Sequence, residues 1–263
     1  MDARIEKLLL YVKKLGSAVV AYSGGSDSSL LALLTYKALG KDAVLATVES
    51  PLTTAEEIEE SKEIARSIGI EQYILYSDIL SLPEFRENPK HRCYICKKEM
   101  FSSICRLKKE LGFSSVIEGS NADDILTFRP GLDALKKLDI KSPFLEAGLN
   151  KQMIRAYAKA LGLSNHDLPS SACLASRIPY GQKITSKKLA KIKDAEYFLK
   201  KLGYKVVRVR YHYPVARIEV KKDKIEKTLG DSNEIISYFK RLGFSYITID
   251  LEGFRSGSLD EEV

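Results

Sequence analysis

Residues 17–31 read SAVVAYSGGSDSSLL, and this stretch decides the fold. The apolar residues 17–22 predict a short β-strand, and residues 28–39, rich in Leu and Ala, predict a helix that follows a glycine turn. The first turn of a helix carries unpaired backbone N–H groups and a partial positive charge. The order strand, glycine loop, helix therefore indicates an α/β protein with a phosphate-binding loop after its first strand.

The side chains of this loop suit a polyphosphate. Gly24 and Gly25 let the backbone approach a ligand closely. Hydroxyl donors come from three serines, Ser23, Ser28 and Ser29. Asp27 would repel a phosphate, so its carboxylate favours a bridging metal ion such as Mg²⁺. No Gly-Lys-Ser/Thr follows, which excludes a Walker A loop, and the third glycine of the dinucleotide fingerprint is missing. An ordinary structural turn is the other interpretation.

Short apolar runs alternate with amphipathic segments through the first 180 residues. Further strands are predicted at residues 42–47, 72–76 and 114–118, and further helices at residues 54–68, 97–111 and 151–161. Thr54 and Glu57 form a capping box at the start of one of these helices. The alternation predicts a Rossmann-like parallel sheet with helices on both faces.

The pattern changes near residues 180–181. Beyond this point the sequence predicts a helix, two paired strands, a helix and a last strand, at residues 186–202, 205–211, 215–220, 223–242 and 244–251. We therefore expect one domain at residues 1–180 and a small α-β-β-α-β domain at residues 181–263. The small domain would contribute to substrate binding or to oligomerisation.

Charge and hydropathy limit the partners. The net charge is +7, and residues 181–263 hold 18 Lys and Arg against 12 Asp and Glu, so they carry +6 of it. This excess fits a solvated surface, a phosphorylated or carboxylated ligand, or RNA, although no RNA-binding module is recognisable. No apolar run approaches the ~20 residues that span a bilayer. Residues 1–15 predict an amphipathic helix rather than a signal peptide, so we expect a cytoplasmic enzyme without a membrane partner.

Three cysteines are candidates for metal binding or catalysis. Cys93 and Cys96 form a C-x-x-C pair, which fits a zinc site, an iron–sulfur cluster or a redox pair. Cys173 is the obvious candidate for a third ligand, and Arg177 beside it would lower the pKa of its thiol and favour a nucleophile. Cys105 has the spacing of a core residue on its helix.

Two further groups indicate ligand binding. Residues 118–124, EGSNADD, follow a predicted strand at the sheet edge where open α/β folds bind ligands. Asp123 or Asp124 is therefore a candidate for holding Mg²⁺, and an ordinary turn is the alternative. Arg208 and Arg210 alternate along a predicted strand and share a face, where their guanidinium groups would suit phosphate or carboxylate.

The resemblance to known families starts at the loop. Residues 21–31 resemble the PP-loop ATP pyrophosphatases, in which the loop binds the pyrophosphate of ATP while the substrate attacks the α-phosphate. Further motifs resemble the LarE family of ATP-dependent sulfur transferases within that superfamily. They lie at residues 92–98, 119–124, 129–131, 142–149, 172–181, 208–212 and 216–220.

The LarE resemblance implies a specific reaction. The family adenylates a carboxylate of pyridinium-3,5-biscarboxylic acid mononucleotide and converts it to a thiocarboxylate, on the way to the nickel-pincer nucleotide of lactate racemase. Members with one cysteine at the position of Cys173 give up its sulfur. Members that also have the C-x-x-C pair are thought to bind a [4Fe-4S] cluster that carries the donated sulfide, and the chain resembles this type.

The resemblance also implies the roles of individual residues. Cys173, Arg177 and Asp27 would be catalytic, while Arg177, Arg208 and Arg210 would bind the anionic mononucleotide. ATP and Mg²⁺ would bind at the loop and at Asp124, a sulfide donor would supply sulfur, and we expect a homo-oligomer. The alternatives are a tRNA thiolase, an amide-forming ligase with a structural zinc, and a non-catalytic nucleotide sensor.

Overall fold

A computed structural model describes residues 2–126, 131–167 and 173–255. The chain forms two compact units. The first comprises Met1–Ile79 and His91–Ser171, and the second comprises Leu80–Lys90 and Ala172–Val263. The division expected at residues 180–181 lies inside the second unit, which also takes a short segment from the first half of the chain.

The secondary structure follows the predicted alternation of strands and helices. The strands are β1 (Ala18–Ala21), β2 (Ala43–Glu49), β3 (Gln72–Tyr76), β4 (Ser115–Ile117), β5 (Val207–His212), β6 (Val215–Val220) and β7 (Tyr246–Ile249). The helices are α1 (Ala3–Lys14), α2 (Ser26–Leu39), α3 (Ala55–Ile68), α4 (Pro83–Arg86), α5 (Arg92–Glu110), α6 (Gly131–Lys137), α7 (Pro143–Glu146), α8 (Lys151–Ala160), α9 (Ser186–Lys201), α10 (Ile225–Gly230) and α11 (Ser232–Arg241). None of the described helices is long and apolar enough to cross a membrane.

The first unit is built on a parallel sheet with the strand order β3-β2-β1-β4. Ala18 of β1 pairs with Ala43 on one side and with Ser115 on the other. Because all four strands run in the same direction, the segments that follow β1, β2 and β4 meet at one edge of the sheet. The predicted Rossmann-like α/β class is confirmed, and the phosphate loop lies at this edge.

Helices cover both faces of the sheet, as the sequence predicts. Alternate residues of β1 point to opposite faces. Val20 belongs to a core cluster with residues of α1, α2 and α8, whereas Val19 packs with Phe101 and Ile104 of α5. The strands are therefore buried on both sides, and the sheet gives the loop after β1 a rigid support.

Helix boundaries test the predictions from sequence signals. The capping box is confirmed, since Glu57 N donates to Thr54 Oγ1 over 3.2 Å and Thr54 N donates to Glu57 Oε2 over 2.9 Å. The start predicted for α5, at residue 97, was wrong. The helix begins at Arg92, so the C-x-x-C pair lies in its first turns. The basic residues Arg92 and Lys97, on either side of the pair, hide the apolar spacing there.

The second unit has a three-stranded sheet with the order β5-β6-β7. Strands β5 and β6 are antiparallel, and β6 and β7 are parallel. The predicted small C-terminal α+β fold is confirmed. The single helix predicted for residues 223–242 is instead two helices, α10 and α11, which are separated at Asp231.

Candidate functional site

The loop between β1 and α2 has a tightly constrained backbone. Gly24 has φ of +76°, in the left-handed region that favours glycine. A Cβ atom at this position would lie 3.0 Å from Ser61 Cβ and 3.1 Å from Ser61 Cα of α3. Gly25 is the N-cap residue of α2. The loop therefore passes directly over α3, and its second glycine presents the first turn of α2.

The serine hydroxyls lie inside the loop or beneath it. Ser23 Oγ and Ser28 Oγ are 3.1 Å apart, and Ser28 Oγ donates to the Gly25 carbonyl over 3.0 Å. Ser29 is completely buried and faces Tyr22, with 3.4 Å between the two hydroxyl oxygens. Burial raises the pKa of Tyr22 to about 12, so its hydroxyl stays protonated. The role of these serines in cofactor binding stays a prediction.

An asparagine far along the chain supports the loop from below. Asn165 is 3% exposed, and its amide nitrogen donates to the Gly24 carbonyl over 2.7 Å and to Ser29 Oγ over 2.9 Å. No sequence signal pointed to Asn165. It lies beyond α8, in a short polar segment with no periodicity, and no local pattern connects that segment to the loop.

Asp27 is oriented by an asparagine of the turn after β4. Asn121 Nδ2 donates to Asp27 Oδ2 over 3.1 Å. Burial raises the pKa of the Asp27 carboxyl above its ordinary value, and the charge of Asp124 acts in the same direction. The Lys151 ammonium opposes this rise in pKa. A divalent cation would stabilise the ionised carboxylate, so the donor set fits the predicted Mg²⁺.

The acidic turn is held by its own backbone. Asn121 N donates to Asp124 Oδ2 over 3.1 Å, and Asp123 N donates to Asn121 Oδ1 over 3.0 Å. Asp123 also accepts from Lys151 N over 2.9 Å, at the start of α8. Asp123 is therefore used in joining the turn to α8. Asp124 is the acidic residue of this turn whose charge acts on Asp27.

The C-x-x-C pair lies on one side of α5. Cys93 is exposed and Cys96 is half buried, and residues three apart on a helix are neighbours. Cys96 Sγ lies 3.6 Å from Met100 Sδ, and Lys137 Nζ donates to Tyr94 Oη over 3.1 Å. Among the described residues, no three His, Cys, Asp or Glu side chains are grouped so that they could hold a metal ion. The thiols themselves are suitable ligands for zinc or iron.

Cys173 belongs to the second unit and is exposed. The guanidinium of Arg177 forms a two-pronged ion pair with Glu196, with N–O distances of 2.8 and 3.1 Å. Its remaining nitrogen donates to the Cys173 carbonyl over 3.3 Å and to Ser176 Oγ over 3.1 Å. The charge of Arg177 is thus balanced by a carboxylate, while its hydrogen bonds shape the segment after Cys173.

Arg210 and Arg208 of β5 differ in their partners. Arg210 pairs with Glu219 over 2.8 and 3.1 Å and donates to the Ser176 carbonyl over 2.6 Å. Arg208 is 5% exposed, stacks on Phe254 and donates to the carbonyl of Arg255 over 3.1 Å. No ion pair between described residues includes Arg208.

Burial and repulsion act together on Arg208. Burial, together with the positive charges of Arg177 and Arg210, lowers the pKa of its guanidinium to about 10, and the carboxylates of Glu219 and Glu196 oppose this shift. A buried cation beside two others attracts an anion.

Two parts of the predicted motifs, residues 129–130 and residue 172, lie outside the described residues.

Comparisons with known proteins agree with this geometry. The family model described as NAD synthase matches residues 2–86, which include the loop. A glutamine-dependent NAD(+) synthetase of Thermotoga maritima is 41% identical over 76 residues, 28% of this chain and 13% of that protein. An uncharacterized protein of Synechocystis is 38% identical over 99% of this chain and 98% of its own length.

A fourth similarity identifies the family. Pyridinium-3,5-bisthiocarboxylic acid mononucleotide synthase of Lactiplantibacillus plantarum is 34% identical over 255 residues, which cover 97% of this chain and 92% of that protein. The similarity includes both compact units and is not confined to the phosphate loop. The chain therefore belongs to the family of this synthase, the LarE family, among the ATP-using enzymes of the PP-loop superfamily.

Proposed function

We propose that the protein uses ATP and Mg²⁺ to convert a carboxylate of pyridinium-3,5-biscarboxylic acid mononucleotide to a thiocarboxylate, in the synthesis of the nickel-pincer nucleotide. The similarity to a synthase whose name gives the bisthiocarboxylic product supports the substrate. The single structural observation that carries the ATP half is the Asp27 carboxylate, half buried at the start of α2 and oriented by Asn121.

The proposed reaction has two substitution steps, and in each of them one bond forms while another breaks. A substrate carboxylate oxygen attacks the α-phosphorus of ATP, and the bond to the pyrophosphate oxygen breaks. The N–H groups at the start of α2 would receive the charge of the departing pyrophosphate. Asp27 and Asp124 would hold Mg²⁺, which neutralises phosphate oxygens. Sulfide then attacks the activated carbonyl carbon, the bond to the AMP oxygen breaks, and a thiocarboxylate remains. Two rounds give the bis-thiocarboxylic product.

Arg208 is the residue best suited to the anionic mononucleotide. Its buried guanidinium has no carboxylate partner among the described residues, so a phosphate or carboxylate of the substrate would compensate its charge. Arg177 and Arg210 would add to the positive field around it, although each pairs with a glutamate. Arg177 would also act beside Cys173, whose carbonyl it contacts.

For the sulfur source, we propose that Cys93, Cys96 and Cys173 ligate a [4Fe-4S] cluster. Such a cluster supplies an open iron on which a sulfide can be carried. The exposure of Cys93 supports access by an external sulfide donor. The alternative is that Cys173 gives up its own sulfur. That the protein forms a homo-oligomer stays a prediction.

Anaerobic reconstitution with iron and sulfide tests the sulfur source. We expect an absorption band near ~400 nm and about four irons per chain, as for thiolate-bound cubane clusters. Cys93→Ser, Cys96→Ser and Cys173→Ser should each lose the band. Cys105→Ser is the matched control, because Cys105 is half buried in the α5 core and should keep the band. A colourless wild-type protein that contains zinc would contradict the cluster and favour an amide-forming ligase.

The reaction itself is tested by mass spectrometry of the mononucleotide after incubation with ATP, Mg²⁺ and sulfide. Exchange of carboxylate oxygen for sulfur, together with release of pyrophosphate and AMP, is the expected result. Release of pyrophosphate without sulfur incorporation would contradict the sulfur transfer while leaving adenylation in place. Thiolation of tRNA in place of the mononucleotide would contradict the proposed substrate.

A further inference from the structure

Asn165 contacts the phosphate loop at a peptide that can adopt two orientations. Its Nδ2 hydrogens are both used, one on the Gly24 carbonyl at 2.7 Å and one on Ser29 Oγ at 2.9 Å. The side chain is 3% exposed. Its Oδ1 atom is buried and accepts no hydrogen bond from the described residues. An unpaired buried amide oxygen costs free energy of folding, so the two hydrogen bonds that Asn165 donates must offset that cost.

The Gly24–Gly25 peptide has little orientation preference of its own. Glycine adopts positive and negative φ about equally well, so a peptide between two glycines can rotate at low steric cost. In a planar trans peptide the C=O and N–H bonds point in opposite directions. When Asn165 holds the Gly24 carbonyl, the Gly25 N–H must therefore point to the other side of the peptide.

The Gly25 N–H is consequently available to a ligand of the loop. The acceptor it has in the structure is Ser23 Oγ, at the long distance of 3.4 Å. Gly25 is partly exposed and is the N-cap residue of α2, where backbone N–H groups bind anions. If the peptide were rotated, its carbonyl oxygen would face the phosphate and repel it.

We infer that Asn165 is a positioning residue that fixes the Gly24–Gly25 peptide with its N–H toward the pyrophosphate portion of ATP. The inference rests on the proposed use of ATP and adds a residue that contacts neither the nucleotide nor the metal. This role predicts which ligands a change of Asn165 affects. Asn165 should matter for ligands that contain the β- and γ-phosphates and should not matter for AMP.

Calorimetric titration of the full chain with MgATP, magnesium pyrophosphate and AMP tests this role. We expect Asn165→Ala to weaken the binding of ATP and of pyrophosphate about tenfold, the effect of one hydrogen bond to a charged group. Asn165→Asp keeps the shape but places an oxygen against the Gly24 carbonyl, so it should weaken both at least as much. The affinity for AMP should change less than about twofold in either variant.

Thr35→Val is the matched control for lost stability. Thr35 is fully buried in α2, and its hydroxyl donates to the Leu31 carbonyl over 2.7 Å. The control should lower the thermal midpoint while leaving all three affinities unchanged. If either folded Asn165 variant binds ATP as the wild type does, or loses affinity for ATP and AMP equally, the inference is overturned. A wild-type protein that does not bind MgATP would overturn the proposed function and this inference with it.

Discussion

Gly24→Ala tests the close approach of the phosphate loop to α3. The substitution keeps φ near +76°, which costs a non-glycine residue about 1–2 kcal/mol. The new Cβ would lie 3.0 Å from Ser61 Cβ and 3.1 Å from Ser61 Cα, well inside the optimal carbon–carbon distance of about 3.5–4.0 Å. Overpacking of this kind adds about 1–3 kcal/mol. We therefore expect Gly24→Ala to lower the free energy of unfolding by about 2–5 kcal/mol.

Gly16→Ala separates the two contributions. Gly16 has almost the same backbone angle, φ of +75°, but an added Cβ would meet nothing within 4 Å. It should lose only the conformational cost of about 1–2 kcal/mol. Urea denaturation followed by circular dichroism measures both variants, and a titration with MgATP shows whether the loop still binds. Gly16→Ala should bind ATP normally, whereas Gly24→Ala should bind it weakly. Equal losses of stability, with normal ATP binding in both variants, would refute the reasoning.

Two further predictions concern Asp27 and Arg208. Because burial raises the pKa of Asp27, the nucleotide-free fold should lose stability as the pH rises from the ordinary value of 3.8 through the raised pKa. Asp27→Asn should remove this loss of stability in urea titrations between about pH 4 and 7. The same variant should lower pyrophosphate release about 10²–10³-fold, and unchanged release would exclude a role of Asp27 in ATP cleavage. Arg208→Ala should raise the KM for the mononucleotide about tenfold and the KM for ATP much less in steady-state assays, and equal effects would remove Arg208 from the substrate site.

The local sequence predicted the loop because its signals are local. Strand, glycines and helix follow one another within residues 17–39, and each element can be recognised from its own propensity and spacing. Asn121 was visible only as part of a polar turn. Asn165 could not be found, because its contact with Gly24 joins residues 141 positions apart. Hydrogen bonds between distant segments depend on the packing of α8 beside α2, which periodicity does not encode.

Sequence signals also misplaced the start of α5, where charged and polar residues interrupt the apolar spacing of the helix. The first turns of α5 contain Arg92, Cys93, Tyr94 and Lys97, so the helix was predicted to begin after the cysteines. In β5 the alternation of Arg208 and Arg210 correctly placed both on one face, but it could not show which arginine has a carboxylate partner. That difference depends on Glu219, which lies across the sheet on β6.

Arg177 and Arg210, which both pair with glutamates, orient the segment after Cys173. A buried ion pair adds little net stability, because desolvation of both charges offsets their attraction. Arg177 donates to the Cys173 carbonyl and to the Ser176 hydroxyl, and Arg210 donates to the Ser176 carbonyl. The glutamates fix these guanidinium groups by two-pronged contacts.

The segment after Cys173 is thereby held by Arg177, which lies within it, and by Arg210 of β5, although Cys173 itself is exposed. Arg208, the neighbouring arginine, belongs to no ion pair between described residues. In the function that we propose, Arg177 and Arg210 would hold the cysteine segment while Arg208 binds the anionic substrate, and this division of roles would bring the substrate to a sulfur-bearing residue.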